Sequence, residues 1–211
     1  MGEMKRGRFV VLEGLDGAGT TSQAARLVAR LNASGRRAHL TAEPSGGPFG
    51  SGIRQVLTGR ITGGSGPFDK RALALLFAAD RLDHLRAEIE PRLAAGIDVV
   101  CDRYVLSSLA YQSLDAPMAW IAEANRFAPA PDRTLFLRVR PEVALGRREA
   151  ASTGAADLFE HLPLQRRIAR AYERALAEHG RRHRVLEIDG ELPLDEVTES
   201  CWRALSRGRP R

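Results

Sequence analysis

The sequence predicts an α/β fold, in which a parallel sheet of five strands is covered by helices on both faces. Five short and nearly continuous apolar segments alternate with longer segments of helical spacing along the 211 residues. Apolar strands of this kind are typical of a parallel sheet buried on both sides. No internal repeat or linker interrupts the alternation, so we expect one domain over residues 1–211.

The strands are predicted from short runs of apolar and β-branched residues. In chain order they cover residues 8–13, 37–43, 97–102, 134–139 and 184–189. Each is expected to be buried. The helices are predicted from apolar residues that recur on one helical face, and they cover 21–33, about 69–95, 105–127, 141–150 and 160–179. Gly96 is placed to cap the second helix at its C-terminal end. Loops are predicted at 61–68 and 148–157, where small and polar residues gather.

Composition excludes several classes of protein. The 44% of hydrophobic and 27% of charged residues are ordinary for a globular domain. No apolar run reaches the roughly 18 residues of a membrane span, and no signal peptide opens the chain, so no membrane association is expected. Two cysteines are too few for a disulfide framework or a metal cluster, which favours the reducing cytoplasm.

The net charge of +6 comes almost entirely from arginine, because the chain has only two lysines. Arginines cluster at 181–184 and 207–211 without interleaved aromatic residues. These clusters are interpreted as a solvated surface and a tail, and no nucleic-acid partner is expected. A basic cleft would suit a small anionic substrate.

The segment that follows the first strand, "GLDGAGTT" at 14–21, indicates phosphate binding. It follows the pattern G-x-x-x-x-G-K-[ST], in which glycines let backbone N–H groups approach phosphate oxygens. Gly14, Gly19 and Thr21 match the pattern, but Thr20 stands where the lysine belongs. Two interpretations stay open at this point: a phosphate-transfer enzyme with its positive charge supplied from elsewhere, or a nucleotide-binding protein without that chemistry.

Asp102 ends the third strand, and ligands of such sheets lie beyond the carboxyl ends of the strands. A carboxylate there, near the hydroxyl of Thr21, predicts a magnesium site formed by Thr21 and Asp102. The alternative is a structural ion pair between Asp102 and Arg103.

The chain resembles the thymidylate kinase family over nearly its whole length. The resemblance is carried by residues 9–23, 42–54, 75–85, 101–112 and 125–145. It implies the P-loop nucleoside-monophosphate-kinase type of three-layer sandwich, with a small lid at about 147–158. It also implies transfer of the ATP γ-phosphate to dTMP, giving dTDP for dTTP biosynthesis, with magnesium as cofactor.

Matched positions imply a set of residues for the acceptor nucleotide. Phe77 would stack on thymine, Arg81 would contact the base, and Ser108, Tyr111 and Gln112 would surround base and sugar. Further residues are implied for the phosphate end of the acceptor: Arg54 and Arg103 to hold the monophosphate, Asp16 near the 3′-hydroxyl and phosphate, and Glu43 as the acid of "EPSG".

On the ATP side the resemblance implies binding by the loop, through Gly14, Gly17, Ala18, Gly19, Thr20, Thr21 and Ser22. The family also uses an arginine, either directly after the loop acid or in the lid. Gly17 follows Asp16 here, so the lid should supply it, through Arg147 or Arg148. With Asp16 and Arg103, these two arginines are the expected catalytic residues. Loss of one preorganised charge costs about 10²–10³ in rate, which still leaves a measurable kinase.

An active thymidylate kinase is therefore the favoured interpretation. A catalytically weak nucleotide-binding or regulatory protein of the same fold is the alternative, and a kinase for another monophosphate is a third. Members of the family are usually homodimers, and the helix around 75–85 is either part of such an interface or ordinary core. Adenine contacts are expected beside the lid and near 187–193.

Overall fold

The computed structural model describes the backbone of residues 6–64, 66–151 and 158–206. Its sheet has five strands in the order β2-β3-β1-β4-β5, and every neighbouring pair is parallel. The strands are β1 (Phe9–Gly14), β2 (Ala38–Ala42), β3 (Asp98–Asp102), β4 (Arg133–Arg138) and β5 (Val185–Asp189). The predicted α/β fold with five parallel strands is confirmed.

Burial differs between the middle and the edges of the sheet. Every residue of β1 and β3 is buried, and because successive side chains point to opposite faces, both faces of these strands must be covered. The expectation that all five strands are buried is wrong for β2 and β5. These are the two edge strands, and Leu40 and Leu186 on them remain 39% and 37% exposed.

Helices flank the sheet. They are α1 (Thr20–Ala33), α2 (Pro48–Leu57), α3 (Lys70–His84), α4 (Glu90–Ala94), α5 (Val105–Tyr111), α6 (Met118–Ala124), α7 (Pro141–Ala151), α8 (Leu158–His179) and α9 (Leu194–Ser206). A π-helical turn at Leu85–Ile89 joins α3 to α4, so the predicted helix 69–95 is nearly continuous. Gly96 follows α4 with φ of 71° and supports the predicted cap.

The predicted helix 105–127 is divided in the structure. After α5 the chain makes a 3₁₀ turn at Gln112–Leu114, and α6 begins after Pro117. Proline has no N–H to donate to the preceding turn, which explains the break. In the predicted loop 148–157, residues 148–151 instead continue α7, and residues 152–157 lie outside the described part of the chain.

The sheet register brings three loops to one edge. Asp102 at the end of β3 pairs with Leu12 of β1 on one side and with Ala42 of β2 on the other. The segments that follow these strands therefore leave the same edge together. They carry the phosphate loop, Glu43 and Arg103, and this edge holds the site described next. Within the described residues, no helix is both long and apolar enough to cross a membrane.

Candidate active site

Two cavities open at the carboxyl edge of the sheet. The larger, the loop cavity, has a volume of about 920 Å³ and is lined by the phosphate loop and by residues 190–194. The smaller, the aromatic cavity, has a volume of about 530 Å³ and lies between α3, α5 and α8. Asp16, Arg103 and Arg148 line both cavities. We call these three residues the junction.

The phosphate loop has the backbone that anion binding requires. Gly17 and Gly19 adopt φ of 89° and 94°, in the left-handed region that glycine enters without strain. Gly19 caps α1, whose first turn has no acidic residue, so its free N–H groups favour an anion. Six expected loop residues line the cavity: Gly17, Ala18, Gly19, Thr20, Thr21 and Ser22. Gly14 is not among the lining residues, and its carbonyl accepts hydrogen bonds from Arg103 and Tyr172.

Thr20 brings no charge to the loop. Its side chain is buried, with 5% of the residue exposed, and its methyl group lies close to Gly14. Among the described residues that line the loop cavity, the positive charges belong to Arg103, Arg147 and Arg148. Among the described residues, these three arginines are therefore the candidates to replace the loop lysine.

The two arginines at the end of α7 occupy different places. Arg147 donates from Nη1 to the carbonyl oxygen of Gly190 at 2.7 Å, on the far wall of the loop cavity. Arg148 lies at the junction and faces both cavities. Part of the predicted lid, residues 152–157, lies outside the described residues.

The oxygen atoms at the end of β3 fit a magnesium ion. The Thr21 hydroxyl hydrogen-bonds to Asp102 Oδ2. The other carboxylate oxygen, Oδ1, is buried and has no hydrogen-bond partner among the described residues. A hydroxyl and a carboxylate with a spare lone pair, beside a phosphate loop, are the hard oxygen ligands that Mg²⁺ prefers. The alternative considered for Asp102, an ion pair with Arg103, is not seen, because Arg103 bonds to Asp16 instead.

Arg103 is held in a strained backbone conformation, with φ of 72°. Its Nη2 donates to Asp16 Oδ1 at 2.6 Å, and its Nη1 donates to the carbonyl oxygen of Gly14 at 3.1 Å and to Ser107 Oγ at 3.2 Å. The guanidinium also lies 5.2 Å from the centre of the Tyr111 ring. These contacts fix the guanidinium at the junction, so it is preorganised for an anion there.

Glu13 stabilises the backbone turn that carries Arg103, and no pattern in the sequence predicts this role. The residue is fully buried, and its carboxylate accepts from the backbone N–H groups of Tyr104 (2.9 Å) and Ser107 (3.1 Å). It also accepts from Ser107 Oγ at 2.5 Å and from the Tyr172 hydroxyl at 3.1 Å. Burial raises the pKa of Glu13, while Ser107 and the charge of Arg103 act in the opposite direction. Because Glu13 lies on β1 directly before the phosphate loop, nothing in the sequence separates it from the residues of the strand core.

The aromatic cavity contains the residues expected around a base. Phe77 is half-buried and projects into the cavity from α3, while Ser108, Tyr111 and Gln112 line the opposite wall from α5 and the turn after it. Burial raises the pKa of the Tyr111 hydroxyl, so it remains a neutral hydrogen-bond donor. The cavity thus combines one aromatic face with several uncharged polar groups, as is usual for a small-molecule site.

Arg81 and Glu43 form a buried pair at the floor of the aromatic cavity. Arg81 Nε donates to Glu43 Oε2 at 2.8 Å, and Nη2 donates to Ser108 Oγ at 3.0 Å and to the Tyr104 carbonyl oxygen at 3.1 Å. Arg81 also donates to Asn125 Oδ1. The arginine therefore orients Ser108 and Glu43, and only 2% of its side chain is exposed to the cavity.

Arg54 does not line either cavity. Its guanidinium is exposed and donates to the carbonyl oxygens of Pro44 (2.8 Å) and Ser45 (2.6 Å). It lies at the edge of the aromatic cavity, since Pro44 is a lining residue. The peptide bond between Glu43 and Pro44 is cis.

Several lining residues were not predicted. Gln165 of α8 is 3% exposed, lines the aromatic cavity, and has an Oε1 without a hydrogen-bond partner among the described residues. Lys70 also lines that cavity. No local pattern marks these residues, because α3 and α8 bring them to the cavity from distant parts of the chain. Residues 190–193 of the loop cavity fall within the segment expected to hold adenine.

The chain is similar to known proteins over most of its length. The family model described as thymidylate kinase matches residues 12–201. A thymidylate kinase of Thermomicrobium roseum is 38% identical, over 95% of this chain and 97% of its own. A probable thymidylate kinase of Pyrococcus abyssi is 39% identical, over 92% and 93%, and a thymidylate kinase of Deinococcus radiodurans is 36% identical, over 96% and 98%. Each similarity extends over nearly the full length of both chains.

Proposed function

Because the chain belongs to the thymidylate kinase family, we propose that it transfers the γ-phosphate of ATP to dTMP, giving ADP and dTDP. The observation that carries the proposal is the junction, where Asp16, Arg103 and Arg148 line both the loop cavity and the aromatic cavity. Phosphoryl transfer needs donor and acceptor in line and the developing charge neutralised. Two nucleotide-sized cavities that share two arginines at their meeting point meet both needs.

The aromatic cavity takes dTMP in this proposal. Phe77 stacks on thymine, and the hydroxyl of Ser108 donates a hydrogen bond to a carbonyl oxygen of the base. Ser108 Oγ accepts from Arg81, so its own proton is free to be donated into the cavity. Tyr111 and Gln112 border the sugar, and the carboxylate of Asp16 accepts from the 3′-hydroxyl. Arg81 and Glu43 act as positioning residues, because they are buried and bonded to each other.

Arg103 binds the monophosphate of dTMP, since its guanidinium is already fixed at the junction by Asp16 and Gly14. Arg54 reaches the same phosphate from the edge of the cavity if it leaves the carbonyl oxygens of Pro44 and Ser45. Guanidinium groups suit this task because they bind phosphate through two parallel hydrogen bonds.

The loop cavity takes ATP, with the phosphates against residues 17–22 and the adenine against the wall at 190–194. Arg148 supplies the positive charge that Thr20 lacks, and Arg147 stays on the adenine side of the cavity through Gly190. Thr21 and Asp102 hold magnesium. When bound, the ion neutralises phosphate charge and orients the phosphates.

We also propose that two copies of the chain associate through the exposed face of α3, as expected for the family. Leu75 and Leu82 are 50% and 41% exposed there, and their separation of seven residues puts them on one helical face. Sedimentation of the wild type and of Leu75→Glu tests this: a dimer that becomes a monomer supports it, and a wild-type monomer contradicts it. We further propose that residues 1–211 form a single domain, since the family match covers residues 12–201. The two cysteines are buried and form no disulfide, which supports a location in the reducing cytoplasm.

The test of the reaction is ADP release by the purified protein with ATP and magnesium, offered dTMP, dUMP or a purine monophosphate. We expect turnover that depends on the acceptor and prefers dTMP, and that collapses in Asp102→Asn. Binding of dTMP without turnover, with activity gained in Thr20→Lys, would support the catalytically weak nucleotide-binding alternative. Preference for another acceptor would make the chain a kinase for that monophosphate.

A further inference from the structure

Three metal-ligating side chains converge beneath the aromatic cavity. Glu43 follows β2, His84 ends α3, and Cys101 lies on β3. All three are buried, and one ligand atom from each lies within 4.8 Å of the others. We call them the Glu–His–Cys cluster. It is separate from the Thr21–Asp102 pair, which offers oxygen atoms alone.

The ring of His84 is oriented so that Nδ1 faces Glu43 of this cluster. Its Nε2 lies 2.8 Å from Thr41 Oγ1 and 3.7 Å from Glu88 Oε2. A proton on Nε2 can be donated to these two oxygen atoms, and we place the ring proton there. Nδ1 is then the acceptor nitrogen.

Glu43 presents a second electron pair to the same point. Its Oε2 is taken by Arg81, while Oε1 lies 3.5 Å from His84 Nδ1. A distance of 3.5 Å is at the limit of hydrogen bonding. A nitrogen lone pair and a carboxylate oxygen that face each other at this distance need a cation between them, either a proton or a metal ion.

The third group of the cluster is a thiol, and its presence favours a metal ion over a proton. Cys101 Sγ currently donates to the carbonyl oxygen of Arg103 at 3.1 Å. Thiolate, imidazole and carboxylate together form a ligand set typical of Zn²⁺. Two ligands about 2.0 Å from a tetrahedral zinc lie about 3.3 Å apart, close to the present separation of Oε1 and Nδ1. Donation of the second ring nitrogen towards a carboxylate, as in His84, also accompanies zinc-binding histidines.

We propose that the Glu–His–Cys cluster binds one soft divalent cation, Zn²⁺, through Glu43 Oε1, His84 Nδ1 and Cys101 Sγ. On binding, the thiol loses its proton to solvent and turns from the Arg103 carbonyl, while Arg81 keeps Oε2. Glu43 lines the aromatic cavity, so the ion enters from there and a water molecule completes its coordination. Because Glu43 belongs to both sites, bound zinc and a ligand in the cavity influence each other's affinity.

The experiment titrates the full-length protein with Co²⁺ as an optical probe and with Zn²⁺ in competition, without nucleotide and with excess Mg²⁺. We expect one equivalent of Co²⁺ with a near-ultraviolet thiolate-to-cobalt band that Zn²⁺ abolishes. The band should disappear in Cys101→Ser, and Co²⁺ affinity should fall at least about 100-fold in His84→Gln. Cys201→Ser and Asp102→Asn are matched controls that keep the band, since Cys201 is a buried cysteine away from the cluster and Asp102 belongs to the magnesium pair.

Wild-type protein that takes up no Co²⁺ would overturn the proposal and leave a proton between Glu43 and His84. A band that persists in Cys101→Ser would also overturn it. Circular dichroism establishes whether each variant folds, and if Cys101→Ser does not fold, the result for His84→Gln decides. None of these readouts depends on kinase activity, so the proposed function can fail without affecting them.

Discussion

At the level of single residues, the proposed reaction depends on Thr20 and Arg148. Thr20 is visible in the sequence as a departure from the phosphate-loop pattern, and the structure buries it without charge. Arg147 and Arg148 cannot be told apart by sequence, because they are adjacent and identical. Their separation comes from helix geometry, since successive residues point about 100° apart. That rotation puts Arg147 on Gly190 and Arg148 at the junction.

Glu13 is the residue whose replacement should reveal how Arg103 is positioned. Glu13→Gln keeps the size of the side chain but turns an amide NH₂ group towards donors, so at least one buried hydrogen bond is lost. We expect the free energy of unfolding to fall by about 1–3 kcal/mol. We also expect kcat to fall with little change in the KM for ATP, because the turn that carries Arg103 loosens.

Steady-state kinetics and denaturant unfolding of Glu13→Gln measure these effects, with Tyr172→Phe as the control. Tyr172→Phe removes one of the four hydrogen bonds to Glu13 and leaves its carboxylate in place, so its effects should be smaller. If Glu13→Gln matches the wild type in both kcat and stability, the positioning role is wrong.

At the scale of elements, the contact between the phosphate loop and α7 depends on Gly17. A Cβ on Gly17 would lie 2.0 Å from the Ala144 carbonyl oxygen, whereas a Cβ on Gly19 would meet no atom within 4 Å. Both glycines have positive φ, so alanine costs about 1–2 kcal/mol of backbone strain at either position. Gly17→Ala must also push α7 away from the loop.

We therefore expect Gly17→Ala to lower the free energy of unfolding by clearly more than Gly19→Ala does. Thermal or denaturant unfolding of the two variants compares them directly, without reference to activity. Equal losses would mean that the loop and α7 do not make the close contact described.

The elements that the sequence predicts well are those with a strong local pattern. The five strands and α1, α7 and α8 are marked by apolar periodicity. α2 was not predicted, because Gly50 and Gly52 lower helix propensity. The close contact between α2 and Ser45 requires glycine at position 50, because a Cβ there would lie 2.1 Å from the Ser45 carbonyl oxygen. α9 was also missed, although Val197, Cys201 and Leu205 form a regular buried stripe.

The residues of the candidate site also differ in whether a local sequence pattern predicts them. Residues 16–22 and 102–103 could be predicted because their motifs are local and follow strands. Gln165 and the wall at 190–194 reach the cavities only through the packing of α8 and the loop before α9. A single sequence holds no signal for such long-range contacts. Arg54 was expected at the phosphate, but in the structure it lies outside the cavity lining because it binds two backbone carbonyl oxygens.

At the scale of the whole molecule, His183 makes stability depend on pH. Burial, together with the positive charges of Arg182, His179 and Arg81, lowers the pKa of His183 to about 4. The unfolded chain, with a histidine pKa of about 6.5, binds this proton at a higher pH than the folded chain does. Stability from this group is therefore present above pH 6.5 and is lost as the pH falls towards 4.

One group with these pKa values would reduce the free energy of unfolding by about 2 kcal/mol at pH 5. Denaturant unfolding of the wild type and His183→Asn between pH 7 and about 5 measures the effect. We expect a shallower loss of stability with acid in the variant. Other groups, including Glu13 with its raised pKa, contribute equally to both proteins and cancel in the difference. Parallel curves would contradict a buried, neutral His183.

We propose that this chain phosphorylates dTMP with Arg148 in place of a loop lysine. The most direct test is dTMP-dependent ADP release by the wild type, Arg148→Ala and Arg147→Ala, with dTMP binding measured for each. We expect the wild type to turn over, Arg148→Ala to lose about 10²–10³ in kcat while it still binds dTMP, and Arg147→Ala to stay within about tenfold of the wild type. A wild type that binds dTMP without turnover, or an Arg148→Ala variant as active as the wild type, would contradict the claim.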